Sequence, residues 1–254
     1  MSLLVPIKAN NREGFKMEKG FVLYRGPSLL DGASIVVIAT MKTKNVKTGN
    51  MIQTWIMRED IAPHTAAKQG VDYSVCGDCI HRPENQSTCY VTLFQAPLQI
   101  WKAYHAGVYS NDLALFESLL PGRKLRIGAY GDPAAVPADV WIHYANLAMS
   151  HTGYTHQMAH KAFDKRLLQV AMASADTKAQ AEQYTKKGIR YFRVVRNKTE
   201  KIPGEIECLA DSKKMSCSDC GVCNGSGRGK GKSIYITVHG KGANNFNPDI
   251  IAVA

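Results

Sequence analysis

The chain has no run of the roughly 18 to 20 consecutive apolar residues that a membrane-crossing helix needs. Its first residues, Met1-Ser-Leu-Leu-Val-Pro6, also lack the charged, apolar and small-residue regions of a secretory signal. The expected compartment is therefore the cytoplasm, where thiols stay reduced, and no membrane partner is expected. Acidic residues are scarce beside basic ones, 21 against 32, which leaves a net charge of +11. Such a surface attracts phosphate polyanions by counterion release, so nucleic acid is a candidate partner. A basic solubilising surface without a partner explains the same charge. No repeat of fixed period and no long low-complexity tract is present, which excludes a solenoid. Hydrophobic residues make up 45%, enough for a real core and too many for a disordered chain.

What the chain does have is cysteine in clusters. Seven is an odd number, so complete disulfide pairing is impossible, and clustered cysteines in a reducing compartment point to metal or redox chemistry. The C-terminal cluster reads Cys208-x8-Cys217-Ser-Asp-Cys220-Gly-Val-Cys223. Two successive CxxC spacings put three sulfurs around one point, and Cys208 completes a four-thiolate cage. Zinc and a 4Fe-4S cluster both accept such a cage, and the unbroken triplet is the more typical of iron–sulfur ligation. The other cluster is Cys76-Gly-Asp-Cys79-Ile-His81-x7-Cys89-Tyr90. It reads either as a zinc site with His81 as fourth ligand or as a three-cysteine 4Fe-4S site with one iron left open.

The hydrophobic rhythm predicts an α/β chain. Strands are expected at Ser34–Met41 and Met51–Arg58, joined as an antiparallel hairpin, and residues 59–89 as a loop. Helices are then expected at Gln99–His105, Asp112–Leu120 and Pro137–Ser150, and strands at Lys124–Tyr130 and His151–His156. A strand at Leu167–Ser174, a helix at Thr177–Lys187 with Asp176 as N-cap, and strands at Ile189–Val195, Glu205–Cys208 and Ser233–His239 complete the list. Strands alternating with helices imply parallel pairing and a partial (β/α) barrel. Three regions are expected: an N-terminal hairpin region at 1–72, the partial barrel with the first cysteine cluster at 73–205, and a cysteine-rich C-terminal extension at 206–254.

Three strand ends carry polar residues: Gly128–Pro133, His151–His156 and Ala173–Asp176. Their coincidence on one rim is what a binding face looks like. A histidine there suits general acid–base work, although a hydrogen-bonded structural histidine is commoner. His239, at the end of the last strand, would face the same rim. The basic glycine loop Gly225–Lys232 approaches a phosphate-binding P-loop. Ser226 stands where its first glycine is required, however, and a strand follows in place of a helix, so ATP binding is excluded there.

The order of these motifs resembles the radical S-adenosylmethionine superfamily: an early three-cysteine loop ending in Cys89-Tyr90, then Gly131-Asp132-Pro133 at a strand end, then Ser174-Ala-Asp176 at another. It more closely resembles an uncharacterised bacteriophage family of the gene-product-eighty-eight type. The stretches that carry this second likeness are Cys76–Tyr90, Arg126–Asp132, Tyr154-Thr155, Ser174–Asp176, Cys208–Cys223 and His239, within residues 74–240. The cysteine spacing is CxxC-x9-C where the superfamily has CxxxCxxC. The resemblance implies a 4Fe-4S cluster on Cys76, Cys79 and Cys89 with S-adenosylmethionine at its open iron. Asp132 would hold the amino group of that cofactor, with Gly131 and Pro133 beside it and Ser174 and Asp176 on the rest. Cys208, Cys217, Cys220 and Cys223 would carry an auxiliary cluster, and the product would be a phage-encoded radical enzyme in the host cytoplasm. The alternative is a non-catalytic, zinc-stabilised nucleic-acid-binding protein.

Overall fold

A computed structural model describes residues 18–227, 231–240 and 242–249. The polar N-terminal stretch to residue 17 and residues 228–230 of the basic glycine loop lie outside the described residues. Strands β1 (Gly20–Pro27), β2 (Ser34–Thr40) and β3 (Met51–Arg58) pair antiparallel in sequence order. Helices α1 (Pro63–Lys68), α2 (Tyr73–Cys76), α3 (Ala96–His105) and α4 (Leu113–Leu119) lead to β4 (Lys124–Tyr130), which lies parallel to β3. Helix α5 (Ala138–Leu147) crosses to β5 (Ser150–Thr152), parallel to β4. This first, mixed sheet has the order β1-β2-β3-β4-β5.

The second sheet is parallel throughout. It contains β6 (Tyr154–Thr155), β7 (Met172–Ala175), β8 (Tyr191–Val195), β9 (Glu205–Glu207) and β10 (Ser233–Thr237), with β10 between β8 and β9. Helix α6 (Lys178–Lys186) joins β7 to β8, and the short helices α7 (Leu209–Ser212) and α8 (Cys217–Cys220) lie between β9 and β10. A single residue, Gly153, separates β5 of one sheet from β6 of the other.

The near-continuous apolar runs of β2 and β3 are buried on both faces, as such runs require. Their core continues through Phe21, Phe116 and Trp141, all fully buried. The edge strand β1 is covered by Ser110, whose carbonyl takes the Val22 N–H at 2.9 Å. In the second sheet, Arg193 of β8 reaches across β10 to chelate Glu205 of β9 at 2.7 and 2.8 Å. Both side chains are at most 3% exposed.

Several expectations need correction. Strand β1 was not among the expected strands, and the expected loop at 59–89 contains α1 and α2. The strand expected at 167–174 begins only at Met172. Asp164 accepts the Arg166 N–H at 2.9 Å and starts a 3-10 turn over Lys165–Gln169 instead. Helix α6 is capped by Thr177, not Asp176: Thr177 takes the Gln180 N–H while Gln180 reaches back to the Thr177 N–H. The Asp176 carboxylate is thereby free of the capping role.

Removing one partner of a buried ion pair strands the other. Glu205→Ala is expected to lower stability by about 3–5 kcal/mol in urea unfolding, and Arg193→Met combined with Glu205→Leu to recover most of it. Equal losses in the single and double variants would contradict this.

Candidate functional site

The first cysteine loop is held in shape before any ligand is considered. Arg82 pairs with Asp72 at 2.6 Å, both buried, and also donates to the carbonyls of Gly70 and Gly77. Cys79 turns back on Cys76, its N–H reaching the Cys76 carbonyl at 3.3 Å, and the Cys89 N–H returns to the His81 carbonyl at 2.9 Å. Gly77, between Cys76 and Asp78, has φ +51°, and a Cβ there would stand 2.2 Å from the Gln157 amide oxygen. Glycine is required because Gln157 grips the loop. Its amide oxygen accepts from Asp78 N at 3.1 Å, and its amide nitrogen donates to the Cys76 carbonyl at 3.0 Å.

The ends of β4 and β6 meet at Asp132. Its carboxylate accepts from Ala134 N at 2.9 Å, Thr155 Oγ1 at 2.8 Å, His156 N at 2.7 Å and, more distantly, Gln157 Nε2. Burial raises the pKa of Asp132, and these donors work against that rise. The side chain expected to meet an amino group thus already accepts these bonds within the chain. Gly131 has φ +81°, and a Cβ there would meet Ile56 at 2.6 Å. Pro133 starts a buried 3-10 turn and its carbonyl accepts from Trp141.

Beyond Asp132, His156 Nδ1 lies 2.9 Å from Asp176 Oδ1. Burial disfavours a charged His156, but the Cys79 sulfur and Asp176 outweigh it and hold its pKa well above the usual imidazole value. His81 packs edge-on to His156 and its Nδ1 lies 2.6 Å from the Thr88 hydroxyl. Burial, then the charge of His156, lower the His81 pKa to about 4. Among the described residues, His81, His156 and Asp176 are the one group of three metal-ligating side chains whose donor atoms lie within 4.8 Å of one another; no three cysteine sulfurs lie that close. His81 therefore groups with the rim rather than with its neighbouring cysteines. His151 does not join them: its Nε2 faces the Asn224 carbonyl at 3.1 Å.

The segments that carry the C-terminal cysteines are held by docking contacts, although no three of their sulfurs lie within 4.8 Å of one another. The Cys217 and Ser218 N–H groups bond the Lys47 and Thr48 carbonyls of the turn between β2 and β3. The Cys208 N–H bonds the Tyr235 carbonyl of β10 at 2.8 Å. Arg190 donates to the carbonyls of Val222 and Gly225 on either side of Cys223. Burial raises the pKa of the Cys223 thiol to about 12. Cys208, Cys217, Cys220 and Cys223 together line a small cavity of about 20 Å³.

A second cavity, of about 420 Å³, lies between the two cysteine groups. Cys76, Cys79 and Cys89 line it together with Gly131, Asp132, Ser174 and Asp176, and so do Cys208, Cys217 and His239. Pro133 is not part of its wall. Arg126, Tyr130 and Trp55, to which the sequence assigned no individual role, also line it. The signal was available for the first of these, since a charged residue lies at the centre of an expected strand, Lys124–Tyr130, between apolar neighbours. No family model, curated protein or solved structure matches the chain.

If Asp132 is a structural pin, Asp132→Ala should cost stability without any ligand present. A loss of roughly 3 kcal/mol or more is expected in urea unfolding, since bonds to a buried charged group contribute about 1.5–3 kcal/mol each. An unchanged midpoint would leave the carboxylate available for ligand instead.

Proposed function

We propose that the chain is an iron–sulfur protein of radical S-adenosylmethionine-like type, with a three-cysteine 4Fe-4S cluster on Cys76, Cys79 and Cys89 and an auxiliary cluster on Cys208, Cys217, Cys220 and Cys223. One observation carries the reading: the three cysteines share a single cavity wall with residues from the ends of β4 and β7, although those segments lie far apart in sequence. In this reading the two sheets, continuous through Gly153, are the halves of a partial (β/α) barrel. The parallel strands from β3 onward and the placement of loops after them support it.

Thiolate donors suit zinc and iron–sulfur clusters alike, and a buried hydroxyl beside the first group favours the cluster. A tetrahedral zinc with Zn–S bonds of about 2.3 Å brings its sulfurs to within roughly 3.8 Å of one another. No three cysteine sulfurs among the described residues lie within 4.8 Å of one another, so their spacing does not choose between zinc and a cluster. The Tyr130 hydroxyl is buried without a partner and lies near Cys76 and Cys89, where a cluster sulfur would accept its hydrogen bond. Burial pushes the Cys76 thiol well above its ordinary pKa, so the free thiol is protonated and ligation must release that proton.

When bound, a 4Fe-4S cluster with an open iron supplies one-electron reduction of a sulfonium cofactor. The chain's own residues position and enclose it. Gln157 and Arg82 fix the loop, and Tyr130 would donate a hydrogen bond to a sulfur of the bound cluster. Asp132 keeps His156 and Gln157 in register. Asp176, oriented by His156, is the carboxylate left facing the cavity, with Ser174 beside it. Asp132 is in this account a positioning residue, and the amino group assigned to it by resemblance falls to Asp176. The net charge of +11 keeps nucleic acid a candidate partner, without a site of its own.

Iron, sulfide and zinc counted on anaerobically purified protein test the reading. A brown protein with about two clusters per chain is expected, and Cys89→Ala should lose roughly half of the iron. A colourless protein with about two zincs per chain would return the chain to the zinc-stabilised, nucleic-acid-binding alternative.

A further inference from the structure

The large cavity contains one buried charge that the described chain does not balance. Four arginines are buried among the described residues: Arg82, Arg126, Arg190 and Arg193. Arg82 pairs with Asp72 and Arg193 with Glu205, while Arg190 is held by a ring of carbonyls. Arg126 differs. It is 5% exposed, and its guanidinium has the Thr152 and Tyr90 hydroxyls at 3.5 Å, the long limit of a hydrogen bond, with its carbon 4.5 Å over the Tyr154 ring. No carboxylate among the described residues pairs with it. A buried, unpaired cation is costly, so such a group points to a partner that arrives from outside the chain.

The Cys217 sulfur lies near enough to attract the guanidinium. It offers one soft acceptor, however, whereas the planar fork of an arginine is matched by two oxygens of one carboxylate. The rest of the wall includes Trp55, Phe192, Val194 and Ile236, so the body of the ligand meets apolar and aromatic surface. A volume of about 420 Å³ suits a small organic molecule.

We propose that Arg126 anchors a small organic carboxylate in the cavity between the two cysteine groups, with its apolar body against Trp55, Phe192 and Ile236. Thr152 and Tyr90 steady the guanidinium, and Tyr154 supports its face. The ligand then lies between the three-cysteine loop and the four-cysteine group. That this ligand is the substrate rests on the iron–sulfur reading; the anion site itself does not.

The test is calorimetric titration of the metal-loaded protein, purified without oxygen, with benzoate and hexanoate against their uncharged amides, benzamide and hexanamide. At least one carboxylate is expected to bind ten times or more tightly than its amide. Arg126→Met should remove that preference, and Arg126→Lys, which keeps the charge but loses the fork, should retain part of it. Acid and amide binding equally, neither carboxylate binding, or Arg126→Met preserving the preference would each overturn the site. Should Arg126→Met fail to fold, the acid-to-amide ratio in the unaltered protein decides alone. Carboxylate binding in a protein that carries zinc would support the anion site while overturning its assignment to a radical substrate. An iron-loaded protein without carboxylate binding would overturn the anion site and leave the cluster reading intact.

Discussion

The arrangement of the site depends on one buried carboxylate. Asp132 receives the Thr155 hydroxyl and the His156 backbone, which ties the end of β4 to the end of β6. Its own N–H reaches the Val75 carbonyl at 2.6 Å, one residue before the first cysteine. Gln157 carries the constraint onward, bonding both the Cys76 carbonyl and the Asp78 N–H. The cysteine loop is therefore not an appendage on the strand ends. It is hydrogen-bonded to them through Gln157 and Asp132. The cost of burying the charge is offset by the donors gathered on it.

The same economy governs the second group of cysteines. Their loop has little regular structure, yet the turn between β2 and β3 pairs with the start of α8, and Arg190 collects carbonyls around Cys223. The N-terminal hairpin thus supports the C-terminal cysteines from the far end of the chain. Between the two groups lies a cavity whose polar residues belong to different strands. Arg126 lies within it and the pair of His156 and Asp176 at its rim. Residues of both cysteine groups thus line one cavity.

Much of this was legible from sequence where a local rule applies. Lys124–Tyr130 is strand over the expected span, the hairpin of β2 and β3 forms as its β-branched runs predict, and Gly131 and Ser174 face one cavity as their strand-end positions imply. What was hidden depends on long-range choices. Whether Asp176 or Thr177 caps α6 is undecided by spacing alone, because both are good caps; the structure gives the cap to Thr177 and leaves Asp176 for His156. The apolar stretch 167–174 fits a strand or a turn equally by composition, and Asp164 decides it. The role of Asp132 was masked because its partners, Thr155 and His156, lie more than twenty residues away.

The central claim is that the three-cysteine loop presents an open coordination position to the shared cavity. Electron paramagnetic resonance of the anaerobic, chemically reduced protein, recorded with and without S-adenosylmethionine, tests it most directly. A cluster signal is expected whose g-values change when the compound is added, and whose change survives replacement of Cys217 and Cys220 by alanine. An iron–sulfur signal indifferent to S-adenosylmethionine, or no such signal at all, would contradict it.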